Sequence, residues 1–195
     1  MIKESRKIPR VGFDLDGVIL YNPLRVLRPL AVGIKKVFVK NKARKFFVPT
    51  NPLDRAIWGF LHKTSFRKNK GLREIGDLVK NKRIEAYLIT GRYSFLERDL
   101  NKWLGKLKTD IEFTDIFYNK NDEQPNVFKQ KMIEKLELNA FVEDNWDIVQ
   151  HLSSRLESKA LQCKIFWLSN FFDKDIEYRY KFMSLKDIAR HINDQ

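Results

Sequence analysis

The stretch "VGFDLDGVILYNP", Val11 to Pro23, closes an apolar run with two carboxylates, Asp14 and Asp16, and then a glycine, Gly17. The apolar residues that begin at Ile8 read as a buried strand ending at Asp14. Two like charges at the end of such a strand repel each other and take up protons unless a cation offsets them. The fold follows from what the rest of the chain brings beside this pair.

Outward from that strand, apolar runs alternate with helical periodicities. GLREIGDLVKNK is read as a helix, RIEAYLI as a strand, Thr90-Gly91-Arg92 as a turn, and SFLERDLNKWLGKL as a helix. IEFTDIFY is a strand and QPNVFKQKMIEKLEL a helix. NAFVE is a strand leading to Glu143-Asp144-Asn145, with Asp147 close behind. NWDIVQHLSSRLES, CKIFWLS and FMSLKDIARHI complete the pattern as helix, strand and helix. Such alternation predicts an α/β fold with a parallel sheet covered on both faces. Right-handed crossovers then bring the C-terminal strand ends to one edge, where open sheets bind ligands.

Three loops at that edge carry the chemistry: Asp14 to Gly17, Thr90 to Arg92, and Glu143 to Asn145. Hard oxygen ligands with no His or Cys among them favour Mg²⁺. Each piece has a simpler reading when taken alone. Asp-x-Asp-Gly suits a turn, Thr-Gly-Arg a strand-to-helix junction, and acids suit a helix N-terminus. Their joint occurrence in this order, each behind an apolar strand, points to a common site.

VGFDLDGVIL, AYLITGR, VFKQKMIEKL and AFVEDN together resemble the motifs of the haloacid dehalogenase (HAD) superfamily. The likeness covers essentially everything outside the segment from residue 22 to about 68. It implies a HAD-like Rossmannoid three-layer fold with a small, mainly helical cap. Residues 1–21 and 69–195 would form the catalytic core and residues 22–68 the cap. It further implies a phosphatase. Asp14 would be the nucleophile, forming an aspartyl-phosphate, and Asp16 the acid and base. Thr90, Gly91 and a lysine would bind the phosphoryl group. Asp14, the Asp16 carbonyl, Asp144 and Glu143 would hold or flank Mg²⁺. Dehalogenase members lack the second acid, so Asp16 favours phosphoryl chemistry. In the family the lysine commonly opens the helix before the last motif strand. Lys129 suits that place, heading the periodic run Met132, Ile133, Leu136, while Lys131 and Lys120 stay open. Arg92 either binds a substrate anion or pairs with a carboxylate near the turn.

The formal net charge of +13 is not spread evenly. Residues 22–70 contain 13 Lys and Arg against one acid, Asp54, whereas the rest holds 25 bases and 24 acids. A segregated excess implies an anionic partner or a local electrostatic role. The candidates are a nucleotide or other organic phosphate, a nucleic-acid end, or a lipid-linked phosphate at an anionic membrane. A nucleic-acid end would be stacked on Phe46, Phe47 or Trp58; a membrane would be met by a helix within residues 24–40. Alternatively, Phe46, Phe47, Ile57, Trp58 and Phe60 pack the cap onto the core. A non-catalytic HAD-fold binding module is the competing class, and it would predict loss of one of Asp14, Asp16 and Asp144.

The single cysteine, Cys163, excludes an internal disulfide or a multi-Cys metal site and is expected in the core. His62, His151 and His191 show no paired metal-ligand spacing. MIKESRKIPR has no apolar segment behind it of the kind a secretory signal needs, and no apolar stretch is long enough for a membrane span. These features fit a reducing cytoplasm.

Overall fold

The computed structural model describes residues 7–23, 49, 51–65, 67–158 and 161–195. The helix expected within residues 24–40, and Phe46 and Phe47, lie outside the described residues.

The sheet has six strands, all parallel, in the order β5-β4-β1-β6-β7-β8. They are β1 (Arg10–Phe13), β4 (Glu85–Tyr93), β5 (Asp115–Asn119), β6 (Ala140–Glu143), β7 (Lys164–Leu168) and β8 (Lys181–Phe182). Two further short strands, β2 (Leu20–Tyr21) and β3 (Arg67–Lys68), form a separate antiparallel ribbon. The helices are α1 (Pro52–Lys63), α2 (Leu72–Lys80), α3 (Glu97–Leu107), α4 (Pro125–Lys135), α5 (Trp146–Ser158) and α6 (Leu185–Asn193). None is long and apolar enough to cross a membrane among the described residues.

Strand alternation divides the core into two layers. Val11, Phe13, Ala86, Leu88, Ala140, Val142, Phe166 and Leu168 point to one face, against Leu72 and Ile75 of α2, Leu100 of α3 and Ile188 of α6. Tyr87, Ile89, Phe141, Ile165 and Trp167 point to the other, against Phe128 and Ile133 of α4 and Val149 and Leu152 of α5. Period-2 side chains buried on both faces are what a covered parallel sheet demands. The chain therefore has the expected three-layer Rossmannoid α/β architecture.

Several local expectations are corrected. Thr90-Gly91-Arg92 is not a turn beyond the strand. β4 continues to Tyr93, and its pairing with β5 shifts between Thr90 and Tyr93. Arg67 and Lys68 form β3 and pair with β2, an element the sequence does not signal. A two-residue strand is too short to carry a periodic signal. The strand expected over IEFTDIFY is confined to its second half, and Ser94–Leu96 is a 3₁₀ turn before α3. β8 has no counterpart in the sequence reading.

Helix α1 opens on a side-chain cap. The Asn51 side chain accepts from the Asp54 amide at 2.8 Å and donates back to the Asp54 carboxylate at 2.7 Å, satisfying an N-terminal amide. Ile57 and Phe60, expected to pack inward, are exposed, while Trp58 and His62 turn toward the sheet edge. Cys163 is half-buried, and burial pushes its thiol up to about 12.

Candidate active site

Strands β4, β1 and β6 are neighbours, and their C-terminal ends lie at one edge. Asp14 follows β1, with its amide donating to Val142 O of β6 at 3.0 Å. Glu143 ends β6 and Asp144 follows it. Carboxylate oxygens of Asp14, Glu143 and Asp144 lie within 4.8 Å of one another, and all three residues are buried. Asp14 and Asp144 are thus close enough to share one ion.

Lys129 enters this cluster from α4. It is buried, and its Nζ lies 2.6 Å from Glu143 Oε2 and 3.0 Å from Asp14 Oδ2. Burial alone would strip its proton, but the two carboxylates outweigh it and hold the proton above the usual lysine range. Lys131, two positions on, points outward to Glu123, and Lys120 lies over the Tyr118 ring. Helical spacing explains the difference, because Asn126, Lys129 and Ile133 share the buried face of α4.

The acids respond to their setting in opposite ways. Burial raises Asp14 well above the ordinary carboxyl range, with Glu143, Asp144 and Asp16 adding to the effect and Lys129 opposing it. Glu143 is raised chiefly by burial as well. It accepts the Asp144 and Asn145 amides on Oε1 and Lys129 on Oε2, so both its oxygens are engaged. Asp16 goes the other way. Burial would raise it, but Arg92 and His62 outweigh burial and hold it well below the usual range.

The turn that presents Asp16 is tight. Gly17 adopts φ +90, and a Cβ there would fall 2.2 Å from Asp144 Oδ2. Glycine is needed both for the conformation and for the close approach of Asp144. A donor set of oxygens alone, cradled where a methyl group would intrude, fits a hard divalent cation such as Mg²⁺.

Arg92 proves to be a carboxylate partner. It donates to Asp16 through Nε and Nη2, and to Asp99 through Nη1 at 2.6 Å. Its side chain is only 1% exposed. Thr90 is buried, and its Oγ1 accepts the Arg92 amide at 3.3 Å. Gly91 allows α4 to approach, since a Cβ there would meet Pro125 Cβ at 2.9 Å. Asp147 stands apart from the acid cluster; its amide donates to Asn145 Oδ1 at 3.1 Å.

Sequence reasoning missed two residues. His62 of α1 places Nδ1 3.2 Å from Asp16 Oδ2, and Asp99 of α3 braces Arg92 from the far side. His62 lies 46 positions from Asp16, and only its place in the last turn of α1, four residues after Trp58, hinted at a shared face.

No family model matches the sequence, and no curated protein matches it. Solved structures match in fold. A candidate beta-phosphoglucomutase from Thermotoga maritima aligns with TM-score 0.56 at 16% identity, covering 95% of this chain and 99% of that one. A haloacid dehalogenase-like family hydrolase from Xanthomonas campestris aligns with TM-score 0.50 at 10% identity, over 96% and 95% of the two chains. A HAD family hydrolase from Salmonella enterica serovar Typhi gives TM-score 0.50 at 11% identity, over 96% of this chain and 73% of that one. With its sheet order, its three layers and its acids at one edge, the chain has the haloacid dehalogenase-like fold.

Proposed function

We propose that the protein is a Mg²⁺-dependent phosphomonoester hydrolase working through an aspartyl-phosphate on Asp14. The observation that carries this reading is the seat of Lys129, buried between Asp14 and Glu143 beside Asp144. A buried cation and three converging carboxylates on neighbouring strand ends suit the binding and transfer of a phosphoryl group. All the acids whose loss would mark a binding module are present.

In the first step an Asp14 carboxylate oxygen attacks phosphorus, the bond to the leaving oxygen breaks, and Asp16 gives that oxygen a proton. Lys129 neutralises charge on the phosphoryl oxygens, and Thr90 with the Gly91 amide orients them. In the second step Asp16 takes a proton from water, which attacks the aspartyl-phosphate, freeing phosphate and restoring Asp14. Arg92 favours the ionised Asp16 that the second step needs. An arriving phosphoryl dianion, as a like charge, favours the protonated form needed first. Asp14, Asp144 and the Asp16 carbonyl, with Glu143 beside them, would hold Mg²⁺, whose positive charge would offset the acids and the phosphoryl oxygens.

Residues 22–68 serve as the cap. Their basic excess favours an anionic substrate, such as a nucleotide or another organic phosphate carrying more than one charge. The test is hydrolysis of p-nitrophenyl phosphate with and without Mg²⁺, in the intact protein and in Asp14→Asn. Activity that needs Mg²⁺ and falls at least about 10³-fold in the variant supports the reading. Inactivity across nucleotides, sugar phosphates, phosphorylated nucleic-acid ends and lipid phosphates, or an active Asp14→Asn, overturns it.

A further inference from the structure

We infer that His62, carried on α1 of the inserted segment, is a positioning residue for Asp16, so that the site is complete only with this helix in place. The inference rests on the phosphatase reading and assigns a role that the sequence motifs do not contain.

The Asp16 carboxylate receives three hydrogen bonds. Arg92 Nε donates to Oδ2 and Arg92 Nη2 to Oδ1, each at 2.8 Å, and His62 Nδ1 lies 3.2 Å from Oδ2. Against an ionised Asp16, which only accepts, the proton of this last bond would be carried by His62 Nδ1. Arg92 approaches from β4, inside the core, while His62 approaches from α1. The Arg92 fork sets the plane of the carboxylate, and His62 adds a second anchor on Oδ2 from a separate element.

His62 is itself held. Its side chain is 19% exposed, and its ring lies 6.0 Å from that of Trp58, one turn earlier on α1. Trp58 in turn lies 6.3 Å from Tyr93, the residue after Arg92. One face of α1 thus makes two adjacent contacts with the site edge, Trp58 on Tyr93 and His62 on Asp16. Leu53, Ile57 and Phe60, at other positions around the helix, are exposed. Arg55, on the same face, lies 5.7 Å over the Phe95 ring, and a cap helix that merely packed would have no need of a polar contact at the Asp16 carboxylate.

The role predicts a leaving-group dependence. Protonation by Asp16 matters most when the departing oxygen is basic, so loss of positioning should affect phenyl phosphate more than p-nitrophenyl phosphate. His62→Ala is expected to lower kcat about 10-fold on phenyl phosphate and less than about 3-fold on p-nitrophenyl phosphate, with KM moved less than about 2-fold. His62→Asn, whose amide N–H can stand where Nδ1–H stood, should restore phenyl phosphate turnover to within about 3-fold. Circular dichroism melting of both variants checks that the fold persists. Equal losses on both substrates, a change confined to KM, or no rescue by His62→Asn overturns the role. A readout independent of turnover is the imidazole ¹H–¹⁵N correlation spectrum. Asp16→Asn should shift the His62 Nδ1 resonance, and an unmoved resonance overturns the contact. An intact protein inactive on both substrates removes the phosphatase reading and the catalytic role with it. The spectrum would then still report the contact on its own.

Discussion

Arg92 grips Asp16 through two parallel hydrogen bonds, Nε to Oδ2 and Nη2 to Oδ1, each 2.8 Å long, in a guanidinium that is almost entirely enclosed. Fork-to-fork pairing of this kind is the strong form of an ion pair. Of the two uses the sequence left open for Arg92, this geometry displays the pairing with a carboxylate.

Removing one partner of a buried pair leaves an uncompensated charge. Arg92→Met is expected to destabilise the fold by about 3–5 kcal/mol at pH 7, as read by urea unfolding. Asp16 has a lowered value in the folded state. Its contribution is therefore fully present above the ordinary value of 3.8 and disappears as pH falls through the lowered one. The gap between the two proteins should narrow below about pH 4, and a gap under about 1 kcal/mol at neutral pH would count against the pairing.

Asp14 has the opposite sign. Its folded value is raised, chiefly by burial. Relative stability is therefore present below the ordinary value of 3.8 and is lost as pH climbs through the raised one. In EDTA at pH 7, Asp14→Asn should melt higher than the wild type, by about 2–4 °C for each kcal/mol of relieved strain. Added Mg²⁺ should raise the wild type more than the variant. A variant that melts lower in EDTA would mean that Lys129 fully compensates Asp14.

Among the three lysines, only the one between the acids should matter to chemistry. Lys129→Met is expected to cost at least about 10²-fold in kcat. Lys131→Met and Lys120→Met should stay within about 2-fold, since those side chains meet Glu123 and the Tyr118 ring instead. Comparable losses in all three variants would leave the lysine unassigned.

The basic excess of residues 22–70 should appear as screening. For a nucleoside monophosphate, KM should rise several-fold between about 50 and 500 mM NaCl while kcat holds, as the Debye length contracts. A salt-insensitive KM would show that these charges do not steer substrate.

Much of this arrangement is legible from residue order. Asp14 declares itself because an apolar strand ends in a charge, and the β1, β4 and β6 loops follow from strand-helix alternation. Lys129 is favoured by the family resemblance and by its place at the head of a helical run, with Lys131 and Lys120 left open. What stays hidden is contact between distant residues. His62 and Arg92 lie 46 and 76 positions from Asp16, and nothing local ties either to that acid. The β2–β3 ribbon is invisible for another reason: two residues cannot display a period, and their pairing is set by the chain around them.

Strand β1, which leads into Asp14, is hydrogen-bonded on both sides, Val11 opposite Ala86 in β4 and Ala140 in β6. Isotope exchange at its backbone amides therefore requires parting it from two neighbours at once. Deuterium should enter residues 11–14 last, at the rate of whole-molecule opening, while α1 exchanges far sooner. Pulse labelling would show Asp14 anchored in the slowest-breathing part of the protein, and the histidine that touches Asp16 riding on one of the quickest.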